Sequence, residues 1–142
     1  MAIEQGLCAS FVLELHQAIH DFTEDTLKMA LYGADAELSP DTTEYTATGE
    51  VTGDGYTAGG AALTFEEDTP KLIGRILAIS FADLAWETAT FTVRGALIYN
   101  SSKANRAVAV LNFGGSISVS ATTFTVPSPT VDANSALIRG IA

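Results

Sequence analysis

Cysteine, histidine and basic residues are scarce in this chain, and each scarcity closes off a class of function. Cys8 is the only cysteine among 142 residues, so an internal disulfide is impossible and a thiolate zinc cage is excluded. Stability has to come from packing. Seven lysines and arginines stand against 17 acidic residues, for a formal net charge of −10. A sequence-independent grip on nucleic acid needs Lys and Arg to neutralise phosphates, and an anionic membrane surface attracts basic segments, not acidic ones. Neither is expected as a partner. Such acidity keeps a concentrated protein soluble, and it gives an outer face suited to the medium or to a basic partner. No apolar run approaches the roughly 20 residues of a membrane span. The opening MAIEQGLCAS lacks the basic start and apolar middle of a secretory signal, so synthesis in the cytoplasm is expected.

What the chain does have is apolar material, at 47% of residues, spread over a length that suits one ordinary domain. Residues 10–22 (SFVLELHQAIHDF) place Phe11, Leu15, Ile19 and Phe22 at helical spacing, with Val12 and Ala18 widening the stripe; Phe11, Leu13 and Leu15 also alternate as in a strand, and a short helix is the favoured reading. Ser10 is the expected N-cap, and Glu14 sits early, where the helix dipole favours an acid. From Thr26 the period changes to two. Leu27, Met29 and Leu31 alternate with Thr26, Lys28 and Ala30, the pattern of a strand.

Residues 33–43 are rich in turn formers and acids and are expected to form an exposed loop. In the Thr- and Gly-rich 44–60 stretch, Gly53-Asp54-Gly55 and Gly59-Gly60 mark turns that need positive φ. The stretch lacks the Lys-Ser/Thr ending of a P-loop and the spacing of a dinucleotide fingerprint. Ala61, Leu63 and Phe65 suggest a short strand before the acidic turn Glu66-Glu67-Asp68.

The second half reads as β-structure throughout. Residues 71–81 align Ile73, Leu77, Ile79 and Phe81. Residues 90–99 align Phe91, Val93, Leu97 and Tyr99, and a turn is expected at 100–103. The following RAVAVLNF is apolar on both faces, as a central strand is. Gly114-Gly115 is expected to turn the chain. Residues 116–126 hold two alternating pieces in opposite phase, which a turn or bulge near Ala121-Thr122-Thr123 would reconcile. Pro127 and Pro129 mark an edge or exit, and Leu137–Ile141 supplies a last strand. The expected fold is mainly β: a single sandwich or jelly roll of about eight short antiparallel strands at 25–142, with a short N-terminal helix or arm at 1–24.

The residues with catalytic or metal-binding potential do not assemble into a motif. His16 and His20 are four apart and would share a helix face, a metal-ligand spacing. Gln17, however, occupies the position where the zincin pattern has Glu, and there is no third histidine. No Ser sits in a G-x-S-x-G elbow, and Cys8 reads as a small apolar residue. The acidic loops lack both the D-x-D-x-D-G calcium pattern and any sign of two carboxylates converging across a cleft. No enzyme, cofactor or metal is expected. Trp86, in FADLAWETATF, is either a core plug or an anchor for a sugar or a protein partner.

Several segments together carry a family resemblance. They are SFVLELHQAIHDF, TLKMALYGADAELSPDTTEYTATGEVTGDGYTAGGAAL, FADLAWETATFTVRGALIYNSSKANRAVAVLNFGGSISVSATTFTV and the closing SALIRG. In this order they resemble a family of small virion proteins of tailed bacteriophages, the capsid cement or decoration proteins. The resemblance implies a jelly-roll-like protein on the outside of an HK97-type capsid. It would contact the major capsid protein and clamp neighbouring capsomers, as a homo-dimer or homo-trimer. A tail or neck component and a carbohydrate-binding sandwich are the alternatives. EEDTPKL at 66–72 and the PSPTVD stretch depart from the family pattern, so partner contacts there do not carry over. Phe11, Leu15, Ile19, Phe22 and Trp86 are the candidate protein-interface residues, and the N-terminal segment is the candidate docking arm.

Overall fold

The computed structural model describes residues 3–65, 70–127 and 138–141. Its elements, in chain order, are β1 (Gly6–Leu7), α1 (Ala9–His16), β2 (Leu27–Tyr32), β3 (Ala61–Ala62), β4 (Lys71–Ile73), β5 (Ile76–Ile79), β6 (Leu84–Asn100), β7 (Arg106–Val126) and β8 (Ile138–Ile141). The class is the expected one: mainly β, antiparallel, with one short N-terminal helix. The expected acidic turn at 66–68, Pro129 and Leu137 lie outside the described residues.

The chain divides into two compact units, residues 1–62 with 86–124 and residues 63–85 with 125–142. The first holds a five-stranded sheet in the order β1-β7-β6-β2-β3. Its centre is β2 against β6, running from Leu27 opposite Asn100 to Tyr32 opposite Gly95. Leu27, Met29, Ala30, Leu31 and Tyr32 are all buried, as are residues 95–100 of β6 and Ala107–Val110 of β7. Burial on both faces explains why these segments are apolar at nearly every position. Farther out on β6 the pattern relaxes to alternation, with Ala89, Phe91 and Val93 buried and Thr88, Thr90 and Thr92 exposed.

Residues 3–25 are built into this same unit. Gly6 and Leu7 pair with Val110 and Ala109, and Ile3, Cys8, Phe11, Glu14 and His20 are buried. The helix is shorter than its apolar stripe predicts. It starts at Ala9 because neighbouring carbonyls satisfy the entering amides, Cys8 N on Val108 O at 2.9 Å and Ala9 N on Pro40 O at 2.8 Å. Cys8 is therefore the N-cap residue, and Ser10 makes no cap bond. The helix ends in a Schellman motif. Ile19 N bonds Glu14 O at 3.0 Å and Ala18 N bonds Leu15 O at 3.2 Å, while Ala18 takes φ 59°.

Two turns also differ from expectation. Residues 71–79 form a hairpin, not one strand: Gly74, at φ 63°, turns the chain so that Ile73 faces Ile76. Gly114, at φ 86°, is absorbed within β7, which continues to Val126. At Ala121, where a turn or bulge is expected, the chain does not turn away: Ala121 takes φ 50° within the continuous β7. In the second unit β5 lies between β4 and β8, and Ala78, Ile79 and Phe81 are buried.

Candidate interaction surface

The N-terminal segment is locked to the β6–β7 hairpin by a buried polar network. Glu14, on the inner side of α1, accepts from His20 Nε2 at 2.9 Å and from Arg106 Nη1 at 2.8 Å. Asn100, fully buried at the end of β6, donates its Nδ2 to His20 Nδ1 at 2.9 Å and to Asp25 Oδ2 at 2.7 Å. Lys103, in the hairpin turn, donates to both Asp25 oxygens at 2.8 and 3.0 Å. Because Asn100 Nδ2 can only donate, His20 Nδ1 must accept, and the network assigns the proton to Nε2. Every buried polar atom of these side chains is thereby used, which is what burial of charge requires.

The electrostatics follow. Desolvation raises the Asp25 carboxyl, but donors from Lys103, Asn100 and the Asp21 backbone, with the Lys103 charge, outweigh it and hold the pKa at about 2. Glu14 behaves similarly: desolvation opposes, and the His20 and Arg106 hydrogen bonds prevail, leaving it below its ordinary value. Burial, then the nearby Glu14 charge, push the Cys8 thiol up to about 11, which makes it a poor nucleophile.

The two histidines do not share a face. Helix α1 ends at His16, whose exposed ring donates Nδ1–H to Val12 O at 2.9 Å. His20 lies beyond the Schellman turn and points inward. The candidate interface residues also part company. Phe11, 1% exposed, packs its ring on His20 and Phe22, while Leu15, Ile19 and Phe22 are half-buried. Trp86, 6% exposed, sits among Tyr56 and Phe124 in a cluster completed by Phe91 and Phe113. Phe11 and Trp86 are thus core residues. The apolar surface that α1 leaves outside is instead Val12 and Leu13, 43% and 60% exposed.

A second polar centre pins the 44–60 loop. Glu50 accepts from Tyr45 Oη at 2.6 Å, from Tyr56 Oη, and from Gly59 N at 2.7 Å. Tyr99 donates to Gly59 O and Tyr32 to Thr46 O, each at 2.6 Å. Desolvation and the Glu50 contact push Tyr45 up to about 12 and Tyr56 well above the ordinary phenol range. Gly60 is required here: at φ 81°, a Cβ would lie 1.8 Å from Met29 O. Beside this staple runs an open groove of about 480 Å³ lined by Asp35, Glu50, Thr52, Phe91 and Thr92 among others. Sequence reasoning missed Glu50 because it is one of 17 acids; the only signal was the grouping of Tyr45 and Tyr56 around it.

Among the described residues no helix is long and apolar enough to cross a membrane. In comparisons with known proteins, no family model, curated protein or solved structure matches the chain.

Proposed function

We propose that the chain is a structural virion protein that binds the outside of an HK97-type phage capsid and cements neighbouring capsomers. The observation that supports this reading is the exposed pair Val12 and Leu13 on a helix that is fixed by a buried network. A preorganised apolar patch loses little freedom when it docks, and many copies of a modest contact add up on a repeating shell. The partner is the major capsid protein, and the location is the capsid surface. The first half of the chain also spends its most reactive groups on holding itself together: Glu14, His20, Asp25 and Glu50 all serve internal bonds.

The test is direct. Purified particles of a phage carrying this gene are imaged by electron cryo-microscopy, and density for the chain is sought over the head. Density repeated over the head supports the proposal; density confined to tail or neck overturns it. In a binding assay on shells lacking the protein, Val12→Asp with Leu13→Asp should weaken attachment at least about tenfold, since charge in an apolar contact costs more than the 1.4 kcal/mol of a decade. Unchanged attachment would remove α1 from the interface.

A further inference from the structure

Among the described residues the outer edge of β7 is unpaired beyond Asn112, and its sequence there is close to a palindrome. On that edge β1 covers only Ala109 and Val110, and Gln5 Oε1 takes the Asn112 amide at 3.0 Å. Beyond Asn112, the described residues place no strand there. The other edge is held by β6, with Thr92 Oγ1 and Ser118 Oγ 2.9 Å apart and Ala121 N on Thr90 Oγ1 at 2.9 Å. Positive φ at Gly114 and Ala121 brackets the regular piece between them. Ser116, Ile117, Ser118 and Ser120 are exposed, and a Cβ on Gly114 or Gly115 would meet nothing within 4 Å.

An edge of this kind is normally guarded by charge, proline or a cover, because its free amides and carbonyls template another strand. This one carries no charged residue from Asn112 to Pro127 and no proline before Pro127. In a chain of net charge −10, an uncharged stretch lets two copies meet without setting like charges face to face.

We infer that this edge, Gly115–Ser120, is the contact through which two copies of the chain pair, antiparallel, about a two-fold axis at Ser118. A two-fold contact requires a surface complementary to itself, and the segment Ser116-Ile117-Ser118-Val119-Ser120 reads nearly alike in both directions. With the axis at Ser118, Ile117 stands opposite Val119 twice, Ser116 opposite Ser120 twice, and Ser118 opposite itself. Apolar residues meet apolar and hydroxyls meet hydroxyls, the matching that stabilises cross-strand pairs. The inference is independent of the capsid reading, because it concerns the purified chain alone.

The experiment is sedimentation of the purified chain across the micromolar range. The wild type should be dimeric, and Ser118→Lys, which sets two like charges face to face on the axis, should dimerise at least about tenfold more weakly. Far-UV circular dichroism should be unchanged, because the position is exposed. Ser118→Cys should form a covalent dimer under mild oxidation far faster than Ser116→Cys, since the same register sets Ser116 opposite Ser120 and not opposite itself. A wild type that stays monomeric throughout, a Ser118→Lys dimer as tight as wild type, or equal crosslinking at the two positions would overturn the inference.

Discussion

At the scale of single residues, the chain tolerates backbone conformations that its side chains resist. Ala18 closes the helix at φ 59°, where glycine is the usual occupant. An L-residue there costs roughly 1–2 kcal/mol, part of which glycine returns as unfolded-state entropy. Ala18→Gly should therefore raise stability by about 1 kcal/mol, read as a higher urea midpoint with unchanged slope. Trp86 points the other way. It is 6% exposed and packs on Phe124 and Tyr56 at ring separations of 6.0 and 6.3 Å, so Trp86→Ala should cost about 3–5 kcal/mol in the same measurement. A cost below about 1 kcal/mol would mean that the indole is not a core group. Its role was open in the sequence because a tryptophan ahead of a strand fits both a core and a binding site. The positive-φ glycines at 53, 55, 59 and 60 were legible, since the Gly-x-Gly and Gly-Gly pairs have few other uses. The alanine at the helix end was not, because nothing marks an alanine for that conformation.

At the scale of elements, strand identity was legible and strand length was not. RAVAVLNF, apolar on both faces, announced a central strand, and Leu27 to Tyr32 announced another. The 21 residues of β7 were hidden because Gly114-Gly115 reads as a break, whereas a strand can run through glycine; β6, expected over 90–99, extends back to Leu84. The link between α1 and the hairpin was also illegible: Glu14 and Arg106 are far apart in sequence, and only folding makes them neighbours. That link has a pH signature. Asp25 and Glu14 are more acidic folded than unfolded, so unfolding takes up protons. Their contribution is complete above the ordinary carboxylate range, near pH 4, and is lost as pH falls through the folded value, about 2 for Asp25. Thermal melts should show the midpoint dropping over that window. Asp25→Asn should flatten the drop and lower stability at neutral pH by about 1–3 kcal/mol, the worth of hydrogen bonds to a charged group. An identical pH profile in the variant would place the acid sensitivity elsewhere.

At the scale of the whole molecule, the N-terminal segment cannot be treated as a removable arm. Deleting residues 1–22 would strip β1 and α1 and expose Val108 and Val110, which are 0% and 1% exposed, so loss of capsid attachment in such a truncation would not separate docking from unfolding. Surface substitutions at Val12 and Leu13 make that separation. The sealed thiol has a further consequence. Cys8 is the only cysteine and has no exposed surface, so an alkylating reagent can reach it only when the segment between β1 and α1 lifts away. Its modification rate is then a clock for that local opening, set by the open fraction times the intrinsic thiol rate. Ala18→Gly, by stabilising the closed helix end by about 1 kcal/mol, should slow the clock about fivefold. A rate indifferent to that change would mean that Cys8 is uncovered by a movement in which α1 takes no part.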